Sequence, residues 1–167
     1  MSPHSTSVTW SSLAYAIPQS GTHTASGKRV NTGKEEPSQL SLKILVAEDE
    51  PISRLFLTKI LTKMGHEVRS AKSGEEVLEI LAGEEKFDAL LTDIQMPSLD
   101  GIELTQLLRS DGTYQSHAQL PIIAMTAYAI SGDRERFLRA GMDDYLPKPI
   151  DPKLLAIILE QVISAPQ

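Results

Sequence analysis

The sequence has 167 residues, 41% of them hydrophobic, with no cysteine and a formal net charge of −6. That length supports one domain with one core and excludes two well-packed domains of ordinary size. The missing cysteines exclude disulfides and thiolate metal sites, and the acidity argues against nucleic acid as a direct partner of the folded part.

Residues 1–41 contain 14 Ser or Thr, are punctuated by Gly and Pro, and show no apolar periodicity. They read as a flexible tail or linker that closes with Lys34-Glu35-Glu36-Pro37-Ser38. Three basic and two acidic side chains give this stretch +1, which leaves −7 on residues 42–167. Trp10, Leu13, Tyr15 and Ile17 form an apolar patch within the tail. No Lys or Arg precedes the patch, so it makes a poor signal peptide, and no apolar run approaches the roughly 20 residues that cross a bilayer. A cytoplasmic protein with no membrane partner is the expectation.

One folded domain is expected over residues 42–167. Ile44-Leu45-Val46-Ala47 is a short continuous apolar run, the signature of a strand buried on both faces. Ile52, Leu55, Phe56, Ile60 and Met64 then recur at helical spacing, with Pro51 suited to the first turn and Gly65 to the end. Val68 to Ala71 is a second, weaker strand. Ser73 caps a helix through Val77, Leu78 and Leu81, with Glu76 placed for a capping box. Ala89 to Thr92 is a third buried strand, and Asp100-Gly101 opens a helix through Ile102, Leu104, Leu107 and Leu108. Leu120 to Met125 is the fourth strand. Ser131 caps a helix that runs to Ala140 and stops at Gly141. Asp143 to Leu146 is the fifth strand, and Asp151-Pro152 starts a last helix carrying Leu154, Leu155, Ile158, Leu159 and Val162.

Apolar strands that alternate with helices predict an α/β fold, a parallel sheet covered on both faces. Right-handed crossovers make that sheet an open, doubly wound one of five strands. Its functional cleft then lies beyond the carboxyl ends of the strands. Glu48 and Asp49 follow the first strand, Asp93 the third, Thr126 the fourth and Lys148 the fifth. Three carboxylates, a hydroxyl and an ammonium at one edge are not a core. The carboxylates repel by several kcal/mol at an effective dielectric of about 20, so a cation is needed among them. An oxygen-only ligand set suits Mg2+, which keeps waters and takes one or two carboxylates plus phosphate oxygens. Thr126 and Lys148 suit hydrogen bonding and charge pairing to a phosphoryl group. The set reads as a carboxylate nucleophile beside a metal. His4, His23, His66 and His117 show no ligand spacing and are expected to be solvated.

The strings ILVAEDEPISR, LLTDIQMPSLDGIEL, LPIIAMTA and GMDDYLPKPI, in this order, strongly resemble response-regulator receiver domains, above all those attached to hybrid histidine kinases. The resemblance covers residues 42 to about 163. It implies a flavodoxin-like strand order, 2-1-3-4-5. It implies that Asp93 accepts a phosphoryl group from the phosphohistidine of a histidine kinase or histidine phosphotransfer protein. Mg2+ (or Mn2+) is then held by Glu48, Asp49, Asp93 and the backbone carbonyl of Gln95, while Thr126 and Lys148 contact the phosphoryl oxygens. Tyr145 becomes an aromatic switch that follows Thr126, and Lys148-Pro149 a cis peptide. Gln95 and Tyr128 flank the path of the water that hydrolyses the aspartyl phosphate; the bulk of Tyr128 implies slow self-dephosphorylation. Output is expected through a protein partner on the face of the fourth helix, fifth strand and fifth helix. Such a module is not an enzyme, since it assists only its own phosphorylation and dephosphorylation. One departure is Glu50, which stands where hybrid-type strings usually have Asn.

Two other function classes are weighed. A haloacid-dehalogenase-like phosphatase also uses a strand-end Asp nucleophile, but Ile94 and Gln95 follow Asp93, so the second acid of the Asp-x-Asp pattern is missing. Nucleotide binding lacks both G-x-G-x-x-G and G-x-x-x-x-G-K. A DNA-binding output would need a further domain after the last helix, whereas the sequence stops at Gln167.

Overall fold

The computed structural model describes residues 41–127 and 133–164. The tail with its apolar patch, His4 and His23, Tyr128 and the helix cap expected at Ser131 lie outside the described residues.

Five strands and five α-helices alternate along the chain. They are β1 (Lys43–Ala47), α1 (Pro51–Lys63), β2 (Glu67–Ala71), α2 (Gly74–Leu81), β3 (Ala89–Asp93), α3 (Gly101–Ser110), β4 (Ile122–Thr126), α4 (Asp133–Ala140), β5 (Asp144–Pro147) and α5 (Pro152–Ser164). All pairings are parallel, in the order β2-β1-β3-β4-β5. Period-two alternation divides the core between the two faces of the sheet. Ile44, Val46, Leu91, Ile123 and Met125 pack against Leu57 and Leu61 of α1 and Leu155, Ile158 and Leu159 of α5. Leu45, Ala47, Leu90, Ile122 and Ala124 pack against Val77 and Leu81 of α2, Leu104 and Leu108 of α3 and Phe137 of α4. The edge strand β2 is mostly exposed, which is why its pattern is weak in the sequence.

The helices start and stop by local chemistry. Glu50 caps α1, its carboxylate accepting the N–H groups of Ile52 and Ser53 ahead of Pro51. Gly65 (φ +92°) and Gly141 (φ +96°) take the left-handed conformation that ends α1 and α4. The box expected at Ser73 and Glu76 is only half formed. Ser73 accepts the Glu76 N–H, but the Glu76 carboxylate takes the Lys72 N–H at 2.7 Å. The reciprocal box forms instead at Asp100 and Glu103 of α3.

Three sequence expectations need correction. β4 begins at Ile122, not Leu120, because the Leu120 N–H donates to the His117 carbonyl (2.9 Å) and Pro121 has no N–H to give. The Leu120 bond closes the turn that follows a short 3-10 helix, Gly112–His117, which no apolar period announced. β5 runs Asp144–Pro147 rather than Asp143–Leu146, since the Asp143 carboxylate is turned back to accept the Ile122 N–H at 2.7 Å. His66 and His117 are not solvated. His117 is buried, its Nε2 2.9 Å from the Leu81 carbonyl, and His66 is half-buried, its Nδ1 accepting the Leu42 N–H at 3.3 Å. No helix among the described residues is long and apolar enough to cross a membrane.

Candidate functional site

β1, β3, β4 and β5 end at one edge of the sheet, and the register there sets the site. Ala47 pairs with Thr92, Asp93 with Met125, and Thr126 with Pro147. Asp93 is therefore the last residue of the central strand. Glu48 and Asp49 lie just past β1 on one side of it, Thr126 and Lys148 at the ends of the strands on the other. Glu48, Asp93 and Thr126 are buried, at 2%, 7% and 5% exposure. Lys148-Pro149 is a cis peptide.

Carboxylate oxygens of Glu48, Asp49 and Asp93 lie within 4.8 Å of one another. At that spacing two like charges repel by roughly 3–4 kcal/mol at an effective dielectric of about 20. Lys148 offsets part of this. Its Nζ donates to Glu48 Oε2 at 2.7 Å and to Asp93 Oδ2 at 2.6 Å. The backbone holds the other oxygens: the Gln95 N–H donates to Asp93 Oδ1 (3.1 Å) and the Glu50 N–H to Glu48 Oε1 (3.3 Å). Burial pushes the Glu48 carboxyl up, the Lys148 ammonium pulls it down, and the Asp93 charge pushes it up again, with an upward result. Burial pulls the Lys148 ammonium down, but its hydrogen bonds to Asp93 and Glu48 outweigh that and raise it. With one ammonium against three carboxylates, the cluster keeps an excess of negative charge in an oxygen-only donor set. That fits a hard divalent cation.

The other expected residues divide. Glu50 lies beside the cluster in sequence, but both its oxygens are taken up by the helix cap. Tyr145 is half-buried, its ring 6.3 Å from that of Phe137 in α4. Gln95 is exposed, and its carbonyl follows directly on the N–H that holds Asp93.

Two residues to which sequence reasoning gave no part in the site help to build it. Arg54, in the second turn of α1, donates from one guanidinium nitrogen to the carbonyls of Glu48 (2.7 Å) and Asp49 (3.1 Å). Gly101 opens α3 against the end of β3; its N–H donates to the Ile94 carbonyl at 3.2 Å, and a Cβ there would collide with the Asp93 carbonyl oxygen. The Asp-Gly pair signalled only a helix start. Gly101→Ala is expected to displace the backbone that carries Asp93 and to destabilise the fold by about 1–3 kcal/mol, as overpacking does. Thermal unfolding of the variant beside wild type checks this, and an unchanged melting temperature would refute the close approach.

Several known proteins are similar to this chain in sequence or in fold. A hybrid signal transduction histidine kinase, kinase I of Dictyostelium discoideum, is 40% identical over 125 residues, 72% of this chain and 7% of that kinase. The sensor protein GacS of Pseudomonas syringae pv. syringae is 35% identical over 117 residues, 70% of this chain and 13% of that protein. This chain thus spans a small fraction of the curated relatives it matches. Among solved structures, the receiver domain of a sensor histidine kinase from Pseudomonas aeruginosa PAO1, with a magnesium ion coordinated in its active site cleft, superposes with a TM-score of 0.65. It is 34% identical over 75% of this chain and 99% of that one. The receiver domain of Saccharomyces cerevisiae Ssk1, in complex with the histidine phosphotransfer protein Ypd1, gives 0.66 at 27% identity over 73% of this chain and 88% of that one. The sequence profile of the response regulator receiver domain matches residues 44–160. By that match, by the strand order and by the acidic edge of the sheet, the chain belongs to the response regulator receiver domain family.

Proposed function

We propose that Asp93 takes a phosphoryl group from the phosphohistidine of a histidine kinase or histidine phosphotransfer protein, and that the domain signals by changing shape. The observation that carries this is the environment of the Asp93 carboxylate. It is buried at the end of the central strand, in reach of two further carboxylates and held by the Lys148 ammonium at 2.6 Å. In the transfer the donor's N–P bond breaks, an Asp93 O–P bond forms, and the imidazole leaves with its electron pair. Glu48, Asp49, Asp93 and the Gln95 carbonyl would hold Mg2+ (or Mn2+). Bound there, such an ion would supply positive charge for the phosphoryl oxygens. Lys148 supplies a second positive charge, and Thr126 a hydroxyl, at the ends of the two neighbouring strands. The Gln95 N–H fixes one Asp93 oxygen, so the carboxylate is oriented before the donor arrives. The phosphoryl group stays on the domain's own side chain, which makes this a signalling module rather than an enzyme. Family membership replaces the phosphatase alternative.

The donor must bring a histidine to this edge. Ile52, Leu55 and Phe56 are 77%, 56% and 54% exposed on α1, next to the acid pair. Their i, i+3, i+4 spacing makes one apolar stripe, suited to a phosphotransfer protein's helical surface. Output is assigned to the face of α4, β5 and α5. A phosphoryl group adds about −1.5 to −2 charge at Asp93. Thr126 and Lys148 are drawn toward it, and Tyr145, packed on Phe137, follows. Residues 1–41 are assigned as the linker, residues 42–167 as the receiver domain, and the cytoplasm as its setting. Gln95 and Tyr128 are assigned to the lifetime of the phosphoryl group, with Tyr128 slowing hydrolysis.

Incubation with a panel of purified histidine kinases and phosphotransfer proteins is expected to give an alkali-labile phosphoprotein only when Mg2+ is present. Labelling that persists in a chelator would overturn the metal assignment. In the beryllofluoride form, NMR shift changes are expected from Thr126 through Tyr145. Changes confined to the neighbours of Asp93 would count against a switch.

A further inference from the structure

Arg54 lies outside the acid cluster, yet it grips the segment that carries two of the cluster's three carboxylates. Side chains on a helix point back toward its N-terminus. From the second turn of α1 the Arg54 guanidinium therefore reaches the residues just ahead of the helix. It donates to the Glu48 carbonyl at 2.7 Å and to the Asp49 carbonyl at 3.1 Å. The Arg54 N–H donates to the Glu50 carbonyl at 3.0 Å, so three successive carbonyls of the segment are tied to one residue.

The two acids differ in what else holds them. Both Glu48 oxygens have partners, the Glu50 N–H and the Lys148 ammonium. The Asp49 carboxylate has no hydrogen-bond partner among the described residues, so only the position of its backbone anchors it beside the other two acids. Holding the carbonyls on either side of the Asp49 peptide nitrogen and Cα fixes the Cα–Cβ direction, and so limits where the carboxylate can swing.

We infer that Arg54 is a positioning residue for the metal-binding acids: by holding the Glu48 and Asp49 carbonyls it aims the Asp49 carboxylate into the cluster before a cation binds. This rests on the proposed Mg2+ site and deepens it. Lysine does not replace the arginine here: both bonds leave from the far end of the guanidinium, and the lysine stem is a bond shorter, so its ammonium stops short of the two carbonyls.

Charge and position make opposite forecasts. Arg54 is a cation near an anionic site. If its charge were all that mattered, removing it would tighten Mg2+ binding, and lysine would leave binding unchanged. If it positions Asp49, both Arg54→Met and Arg54→Lys weaken Mg2+ binding, by about 10-fold or more, the usual effect of losing a group that orients a ligand.

The experiment is calorimetric titration of the whole chain with Mg2+ for wild type, Arg54→Lys and Arg54→Met, together with amide hydrogen exchange of each protein without metal. The expected result is about 10-fold weaker binding in both variants, with faster exchange at the Asp49 and Glu50 amides and unchanged exchange at Leu90 in β3. Preserved Leu90 protection shows that the fold is intact. Wild-type affinity in Arg54→Lys, or tighter binding in Arg54→Met, overturns the inference and leaves the metal site standing. Failure of wild type to bind Mg2+ overturns the site itself and the inference with it.

Discussion

Asp93→Asn is expected to take phosphoryl incorporation from acetyl phosphate or from a phosphohistidine donor down to background. The amide nitrogen has no lone pair to offer, and the amide oxygen is too weakly basic to hold a phosphoryl group. Loss of incorporation alone would also follow from misfolding, so the stability of the variant decides the interpretation. The substitution removes an attraction to Lys148 across 2.6 Å, worth roughly 6 kcal/mol at an effective dielectric of about 20. It also removes repulsions from Glu48 and Asp49, whose oxygens lie within 4.8 Å, at roughly 3–4 kcal/mol each. These opposing terms nearly cancel, and the amide oxygen of the substituted side chain can still accept the Gln95 N–H. The melting temperature is therefore expected to stay close to wild type while phosphorylation disappears. Intact-mass spectrometry after acetyl phosphate treatment reads the first quantity and a thermal melt the second. A phosphorylated Asp93→Asn protein would remove Asp93 from the chemistry.

How much of this the sequence disclosed depended on whether a feature was periodic, at a strand end or made by backbone. The buried strands were legible because burial on both faces leaves continuous apolar runs such as Ile44 to Ala47. Glu48, Asp49, Asp93, Thr126 and Lys148 were legible because polar residues directly after such runs have no place in a core. The strand order needed the family resemblance; local patterns alone do not distinguish which parallel strands are neighbours. The 3-10 helix after α3 was invisible, for it is held by a cap at Asp111 and by backbone bonds rather than by an apolar face. Burial of His117 was missed for a related reason: its partner is the backbone carbonyl of Leu81, 36 residues away, and no side-chain pattern records such a contact. Arg54 was hidden the same way. It stood in a quoted motif, but its partners are carbonyls, which every residue has. Glu50 looked like a departure from the hybrid-type strings. Its carboxylate caps α1, accepting the Ile52 and Ser53 N–H groups, a role that Asn also fills at helix starts.

Lys148→Met is expected to separate the two uses of the ammonium, one in holding the fold and one in the chemistry. Without Lys148 the buried carboxylates of Glu48 and Asp93 face each other with no cation between them. Removing one partner from a fully buried pair costs about 3–5 kcal/mol. The Lys148 side chain is 24% exposed, so solvent screens part of that, and a loss of roughly 2–3 kcal/mol is expected. For a domain of this size that lowers the melting temperature by on the order of 10 °C. Mg2+ should restore most of it. A ligand that binds only the native state stabilises by about 2.7 kcal/mol at a hundred times its dissociation constant. The rise on adding Mg2+ should also be larger in the variant than in wild type, where the ion enters a cluster that an ammonium already partly neutralises. In Asp49→Asn, which loses a ligand but keeps Lys148, the rise should be the smallest of the three. Phosphorylation should follow a different order. At saturating Mg2+ the Lys148→Met protein regains its stability, yet the positive charge that Lys148 offers the incoming phosphoryl oxygens is still missing. Its rate of labelling by acetyl phosphate should therefore stay well below wild type when its melting temperature does not. Equal Mg2+-induced shifts in wild type and Lys148→Met would show that ammonium and metal do not act on the same carboxylates. Full recovery of the labelling rate with Mg2+ would confine Lys148 to a structural role.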